Sequence, residues 1–408
     1  MFLSTSNSEG QMLRIARLNK GMELKEVVGN ICSISTLSKI ERGKQKTHPE
    51  VLKSLYKQLD IEYETDELFL KEMQSLMARY YYELTYNFSS STVHKLISEE
   101  KRLLYSPLAL DYILIKYIDT GDIELANTLD QCVEFMSDRQ LAWFYIEDPR
   151  IAYNSEFDKF TKSHQILQNS YVTVNLMSRY WYIGEFSLVR ELSSIAINYA
   201  LDEGNVWTLS QVYSLLGGIF ACYNMKDDML KEYGRALNLL KNTNWKDDLK
   251  SIYYNIGATY ISIGDYELSE EYLDKCYMEE FNYFHKKAIL NIYLNKYEEA
   301  DYWIEKMKNS IKEFENGEDY SPNGYHKSLK NVLKVTKYQR DDSIFSTDEY
   351  IKCLEELMKY YNKNGKYGFM YFHKNALINA YISNRRYKDA YELEGLFSNI
   401  KSKHIVKS

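Results

Sequence analysis

Proline is scarce in this chain of 408 residues, with only 4, and glycine numbers 17. So few turn formers count against a fold of many strands and tight turns and favour helices with short connections. The five cysteines (Cys32, Cys132, Cys222, Cys276, Cys353) stand singly, with no Cys-x-x-Cys pair, so neither a disulfide framework nor a zinc site is expected. That usage fits a reducing cytoplasm. No run of 18 apolar residues occurs, and the start Met1-Phe2-Leu3-Ser4-Thr5-Ser6 has neither a basic segment nor an apolar core. No membrane span and no export are therefore expected. The seven histidines never take a metal-binding spacing, and both a Gly-rich phosphate loop and a Gly-x-Ser-x-Gly elbow are missing. The expectation is a protein with no cofactor, no metal and no catalytic residue, hence not an enzyme. The paired carboxylates Glu270-Glu271, Glu279-Glu280 and Glu355-Glu356 are read as solvated helix surface.

What the chain does contain is apolar residues at 45% and aromatics at 15%, enough for a sizeable core. Its charge is unevenly placed. Between Gly10 and Lys57 there are ten Lys/Arg against four acids, a net +6, whereas the whole chain is −7, leaving −13 elsewhere. A positive field confined to one short segment marks where phosphate would be met. Inside that segment, residues 30–43 have the residue types of a recognition helix. Ser33 or Ser35 can cap its start, Leu37 and Ile40 supply the apolar stripe, and Gly43 provides a left-handed stop. The face left over carries Ser33, Ile34, Ser35, Thr36, Ser38, Lys39 and Arg42, with Lys44 following. These hydroxyls, cations and one apolar side chain are the kind that reach base edges and phosphates in the major groove. Helices are also expected over 12–18, 24–31 and from Pro49 onward, giving four or five helices over residues 8–64.

The remainder repeats itself. The clearest unit runs from Tyr253 to Tyr266 and on through Ser269, Tyr272, Leu273 and Cys276. Small residues at Gly257, Ser269 and Cys276 allow two helices to approach, Tyr260 and Leu273 wedge between them, and Gly264-Asp265 turns the chain. Gly217, Phe220, Asn224, Met229, Tyr233 and Ala236 take corresponding places about forty residues earlier, and Met177, Tyr180, Gly184, Phe186, Val189 and Ala196 about forty before that. Weaker copies include Tyr117, Gly121, Ile123, Ala126 and Val133; Asn291, Tyr297, Ala300, Ile304 and Met307; and Tyr381, Tyr387, Ala390 and Phe397. Residues 137–168 and 325–364 read as less regular pairs, and the loop 316–324 as a surface excursion. The expected organisation is an all-α chain: residues 1–65 a helix-turn-helix domain, 66–105 a linker helix and capping pair, and 106–408 a repeat domain. Roughly seven to nine pairs would curl into a right-handed superhelix with a concave inner face.

Asn175 and Asn255 hold the same place in two repeats. Asn is a poor helix former, so its recurrence inside a helix needs a reason. An amide that both donates and accepts can pair the backbone of an extended peptide; an inter-repeat hydrogen bond or a plain repeat preference is the alternative. Gln211, Ser214, Tyr254, Asn375 and Asn379 are further inner-face candidates. Arg179 and Lys286 can meet a peptide carboxylate, and each taken singly reads more simply as a solvated charge.

The 30–43 segment, with Asn30-Ile31-Cys32, Ser35, Ser38, Ile40-Glu41 and Gly43, resembles the XRE (Cro and phage-repressor type) domain in the variant found in the PlcR and NprR branch. That resemblance implies that Glu41 holds Arg14 or Arg17 in a structural ion pair. Leu24 departs from the pattern, standing where the family usually has a phosphate-bonding Gln. The repeats resemble tetratricopeptide (TPR) repeats closely. Together they are similar to the RRNPP superfamily of peptide-pheromone receptors across essentially the whole chain. The resemblance implies a cytoplasmic, homodimeric quorum-sensing-type regulator that binds double-stranded DNA at a pseudo-palindromic operator and takes a short signalling peptide in its concave groove. The alternative is a repeat adaptor that sequesters a protein partner, with the N-terminal domain idle for DNA.

Overall fold

A computed structural model of the chain describes residues 8–88, 91–148, 150–151, 156–316, 324–341 and 347–405. Among them are twenty-three α-helices, one 3-10 turn and no strand. None of these helices is long and apolar enough to cross a membrane. The N-terminal residues 1–6 and the core of the 316–324 loop lie outside the described residues. The chain divides into two compact units, residues 1–176 and 177–408.

The first unit opens with four short helices: α1 (Ser8–Asn19), α2 (Leu24–Val28), α3 (Ile34–Glu41) and α4 (Pro49–Gln58). Leu13, Val27, Leu37, Leu52, Leu55 and Leu59 form one buried core, which fixes the inner face of every helix in the group. The Ser33 side chain accepts from the Thr36 backbone N–H at 3.0 Å and so caps α3. α3 ends at Glu41, and just beyond it Gly43, with φ +64°, turns the chain away. The expected helix over 24–31 is shorter than its pattern: Gly29, at φ +44°, stops it after Val28, and the Ile31 N–H turns back to the Val28 carbonyl at 2.8 Å. The Arg17 guanidinium donates to both carboxylate oxygens of Glu41 at 2.7 and 2.9 Å and to the Met22 carbonyl at 2.7 Å. This clamp joins α1, the following turn and α3.

The unit continues with α5 (Glu67–Thr85), α6 (Thr92–Ser98), α7 (Glu100–Leu103), α8 (Ala109–Thr120), α9 (Ile123–Cys132), α10 (Asp138–Glu147) and α11 (Phe157–Leu167). The pairs α8/α9 and α10/α11 pack together. In α9 the buried position falls on Cys132, with Val133 already in the 3-10 turn, one residue from where the repeat pattern put it. Next comes α12 (Ser170–Tyr182).

The second unit is a stack of antiparallel pairs: α13 (Phe186–Glu203), α14 (Val206–Cys222) with α15 (Lys226–Leu240), α16 (Lys246–Ile263) with α17 (Tyr266–Asp274), α18 (Phe281–Tyr293) with α19 (Tyr297–Glu315), α20 (Gly324–Arg340) with α21 (Asp348–Lys363), and α22 (Tyr367–Ser383) with α23 (Tyr387–Ile405). Gly217 and Gly257 are the close-approach points: a Cβ would stand 2.6 Å from the Tyr233 ring and 2.8 Å from Leu273 respectively. The Ser269 hydroxyl donates across the second pair to the Gly257 carbonyl at 2.9 Å. Two residues before the second helix of six of the pairs, the backbone is left-handed: Gly121, Gly184, Asn224, Gly264, Asn295 and Arg385 all have φ between 54° and 86°. Gly and Asn accept this at little cost, and Arg385 is the one position where the sequence departs.

The unit does not leave its inner face open. α22 packs against α14 and α16, and α23 against α13. The approach is made at Gly365, which has φ +64° and where a Cβ would lie 2.3 Å from the Ile183 carbonyl oxygen. Gly365→Ala combines left-handed strain with a clash against backbone, so it is expected to destabilise this unit by about 2–4 kcal/mol. A chemical-denaturation midpoint reads it, and an unchanged midpoint would show that α22 is not held there.

Candidate functional sites

The outward face of α3 is the first candidate. Ser33, Ile34, Ser35, Lys39, Arg42 and Lys44 are exposed, and Thr36 and Ser38 are half-buried. Leu37, Ile40 and Glu41 point inward. The sequence-predicted set therefore lies on one accessible surface, with Arg42 steadied by donating from Nε to the Ser38 carbonyl at 2.9 Å. Of the ten Lys/Arg in this segment, only Arg17 is buried, and it is spent on Glu41. The other nine are exposed, so the local excess of positive charge is presented to solvent, where it acts on a polyanion.

The second candidate is a cavity of about 150 Å³ within the second unit, between α14, α16, α18 and α22. Three sequence-predicted residues meet there: Tyr254 and Asn255 from α16 and Lys286 from α18. The Tyr254 hydroxyl donates to the Asn282 carbonyl at 3.4 Å, and Asn255 sits beside the Tyr233 hydroxyl. The remaining candidates of this unit do not line the cavity. Gln211 donates to Asp248 at 2.9 Å, Ser214 bonds back to the Ser210 carbonyl at 2.9 Å, Asn375 and Asn379 are exposed, and Arg179 is buried. The Asn175 amide donates to the Tyr171 carbonyl of its own helix at 3.0 Å. That is a local back-bond rather than an inter-repeat link.

Reading Arg179 and Lys286 as solvated charges fails, because both are buried, Lys286 to 3% exposure. Each is taken inside by the surface its helix presents to neighbours, which a repeat pattern does not reveal. The Lys286 nitrogen lies 3.3 Å from the centre of the Phe372 ring and 3.4 Å from His285 Nδ1. Burial holds this amine well below the usual lysine range. Lys366, also lining the cavity, rests over the Tyr182 ring at 3.4 Å, and burial lowers it to about 8. Five of the six paired carboxylates make ion pairs at or near the surface, as with Glu270 to Lys296 at 2.6 Å and Glu356 to Lys327 at 3.1 Å. Glu279 and Glu280 lie in a connection rather than on a helix.

Sequence reasoning missed Trp181 and the α22 contribution, Lys366, Tyr367, Phe369 and Phe372. One signal was present: the run Tyr367-Gly368-Phe369-Met370-Tyr371-Phe372 is apolar on every side, which marks a helix covered on several faces.

His285 and His373 stack beside the cavity, ring centres 5.3 Å apart, each buried with an Nε2 that has no partner among the described residues. Burial and the Lys286 charge depress both, His373 to about 3. A depressed folded-state value means that the unfolded chain takes the proton first. The stability these neutral rings allow is complete above about pH 6.5 and is lost as pH falls toward 3, at up to about 1.4 kcal/mol per pH unit per ring. Urea midpoints at pH 7 and pH 5 should differ accordingly, and His373→Gln should flatten the difference.

No family model matches the chain, and no curated protein sequence matches it. Among solved structures it is similar to the crystal structure of a Rap protein complexed with competence and sporulation factor, with a TM-score of 0.59 over 83% of this chain and 99% of that one. The two are 13% identical, so the likeness is one of fold.

Proposed function

We propose that this chain is a non-enzymatic, cytoplasmic transcriptional regulator controlled by a short signalling peptide. In this reading α1–α4 form an XRE-type helix-turn-helix that binds a pseudo-palindromic operator as a homodimer, and the repeat unit receives the peptide. The observation that carries it is the convergence of Tyr254, Asn255 and Lys286 on one cavity inside a stack of TPR-like helical pairs. The exposed basic face of α3 supports the DNA half, and the Arg17–Glu41 clamp matches what the family resemblance implies. Peptide and DNA are coupled only to the extent that the peptide binds the two arrangements of the dimer with different affinity.

Asn255→Ala tests the ligand half. Removing an amide that pairs a peptide backbone costs on the order of 1–3 kcal/mol, or about ten- to a hundredfold in affinity. The melting temperature of the free protein should stay put or rise, since Ala is the better helix former. Calorimetric titration of the peptide that releases or promotes DNA binding is the measurement. Normal affinity combined with a depressed melting temperature would make Asn255 a structural residue.

A further inference from the structure

The cavity in the repeat unit contains two lysines and no acid among its lining residues. Neither Lys286 nor Lys366 is within 4 Å of a carboxylate among the described residues, although their neighbours are: Lys287 pairs with Asp274 and Lys374 with Glu394, each at 2.7 Å. Of the two buried lysines, Lys287 thus has a counter-ion and Lys286 has none among the described residues, and Lys366, which lines the same cavity, has none either. Rings of Phe372 and Phe369 flank Lys286, and Trp181 and Phe186 also line the space. Leaving an amine in such surroundings without an anion disfavours its charged form. A ligand anion would supply the missing partner in a medium where the pairing is strong.

We infer that this cavity is a receptor for a carboxylate carried next to an apolar group, which Lys286 and Lys366 bind as counter-cations while Lys286 takes one proton from solvent. The balance is an amine, a proton and a carboxylate giving an ammonium–carboxylate pair; no covalent bond forms or breaks. The other titratable groups around the cavity do not compete for that proton at pH 7, where Lys366, lowered to about 8, is already mostly charged. His285 and His373 are depressed, while burial pushes Cys222 up to about 12 and raises Tyr233 and Tyr254. The inference rests on the peptide-receptor reading and adds the chemical group that the peptide must offer, either its free C-terminus or an acidic side chain.

Calorimetry on the full chain, run in two buffers of different ionisation enthalpy, tests it with three probes: acetyl-Ala-Phe as the free acid, the same peptide as its amide, and acetyl-Ala-Glu-Ala amide. At least one carboxylate peptide should bind with uptake of about one proton at pH 7, while the Phe amide binds at least tenfold more weakly. Binding of the free acid assigns the C-terminus, and binding of the Glu peptide assigns the side chain. Lys286→Met should weaken binding at least tenfold and abolish proton uptake; Lys366→Met should weaken it and keep the uptake, which serves if the first variant fails to fold. Equal binding of amide and acid, silence of both carboxylate peptides, or unchanged affinity in both variants would overturn the inference. No DNA enters this measurement. Carboxylate binding without any effect on DNA binding would remove the regulatory reading and leave this inference standing, and a peptide response without a carboxylate requirement would do the opposite.

Discussion

Replacing Glu41 by alanine is expected to destabilise the N-terminal helix group by about 3–5 kcal/mol, because it leaves the Arg17 guanidinium buried and unpaired. Arg17 is 7% and Glu41 4% exposed, and the two hydrogen bonds between them link α1 to α3. A small helical group has a total stability of only a few kcal/mol, so the loss should unfold it. Hydrogen exchange of the backbone amides of α1–α4 should lose its protection, while amides of the second unit keep theirs. DNA binding should vanish with it. Retained protection would show that the clamp contributes little and that the apolar core around Leu13, Leu37 and Leu55 suffices.

Lys39→Ala combined with Arg42→Ala is expected to have the opposite profile, leaving the fold intact and removing operator binding. Both side chains are exposed on α3 and touch nothing in the core. Each contact to a base edge or phosphate is worth roughly 1–3 kcal/mol, so the pair should cost about a hundredfold or more in affinity. The salt dependence of residual binding should also become shallower by roughly one unit of slope for each lost phosphate contact. Unchanged affinity at fixed salt would take α3 out of the reading role. Together with Glu41→Ala, this variant separates residues that build the helix group from residues that use it.

Local signals in the sequence carried far. The cap, expected at Ser33 or Ser35 and found at Ser33, the inner stripe of Leu37 and Ile40 and the stop at Gly43 are each decided within one or two turns of helix. The Gly257, Ser269 and Leu273 set was legible for a similar reason, since one close approach between adjacent helices dictates small residues at fixed spacing. Lys286 was misjudged as a lone charge because its burial depends on α22, which lies about eighty residues further along the chain and packs against α14 and α16. Periodicity tells which face of a helix is covered and not which distant helix covers it. For the same reason Lys366 and Phe372 were not seen to line the same cavity as Lys286, although the apolar run that begins α22 announced a helix without a free face. Gln211 and Ser214, expected as inner-face candidates, are half-buried, and their side chains bond to Asp248 in one case and to their own helix in the other.

The most direct test of the regulatory reading is selection from a pool of random DNA duplexes by the full-length protein at fixed salt, followed by a titration of the enriched sequence. A pair of related half-sites in inverted repeat is expected, because one recognition helix reads only a few base pairs and a two-fold dimer supplies the second copy. The enriched duplex should bind at least a hundredfold more tightly than unselected DNA, and light scattering should show two chains per duplex. Failure to enrich any sequence, or equal binding by the protein carrying Lys39→Ala and Arg42→Ala, would contradict the account.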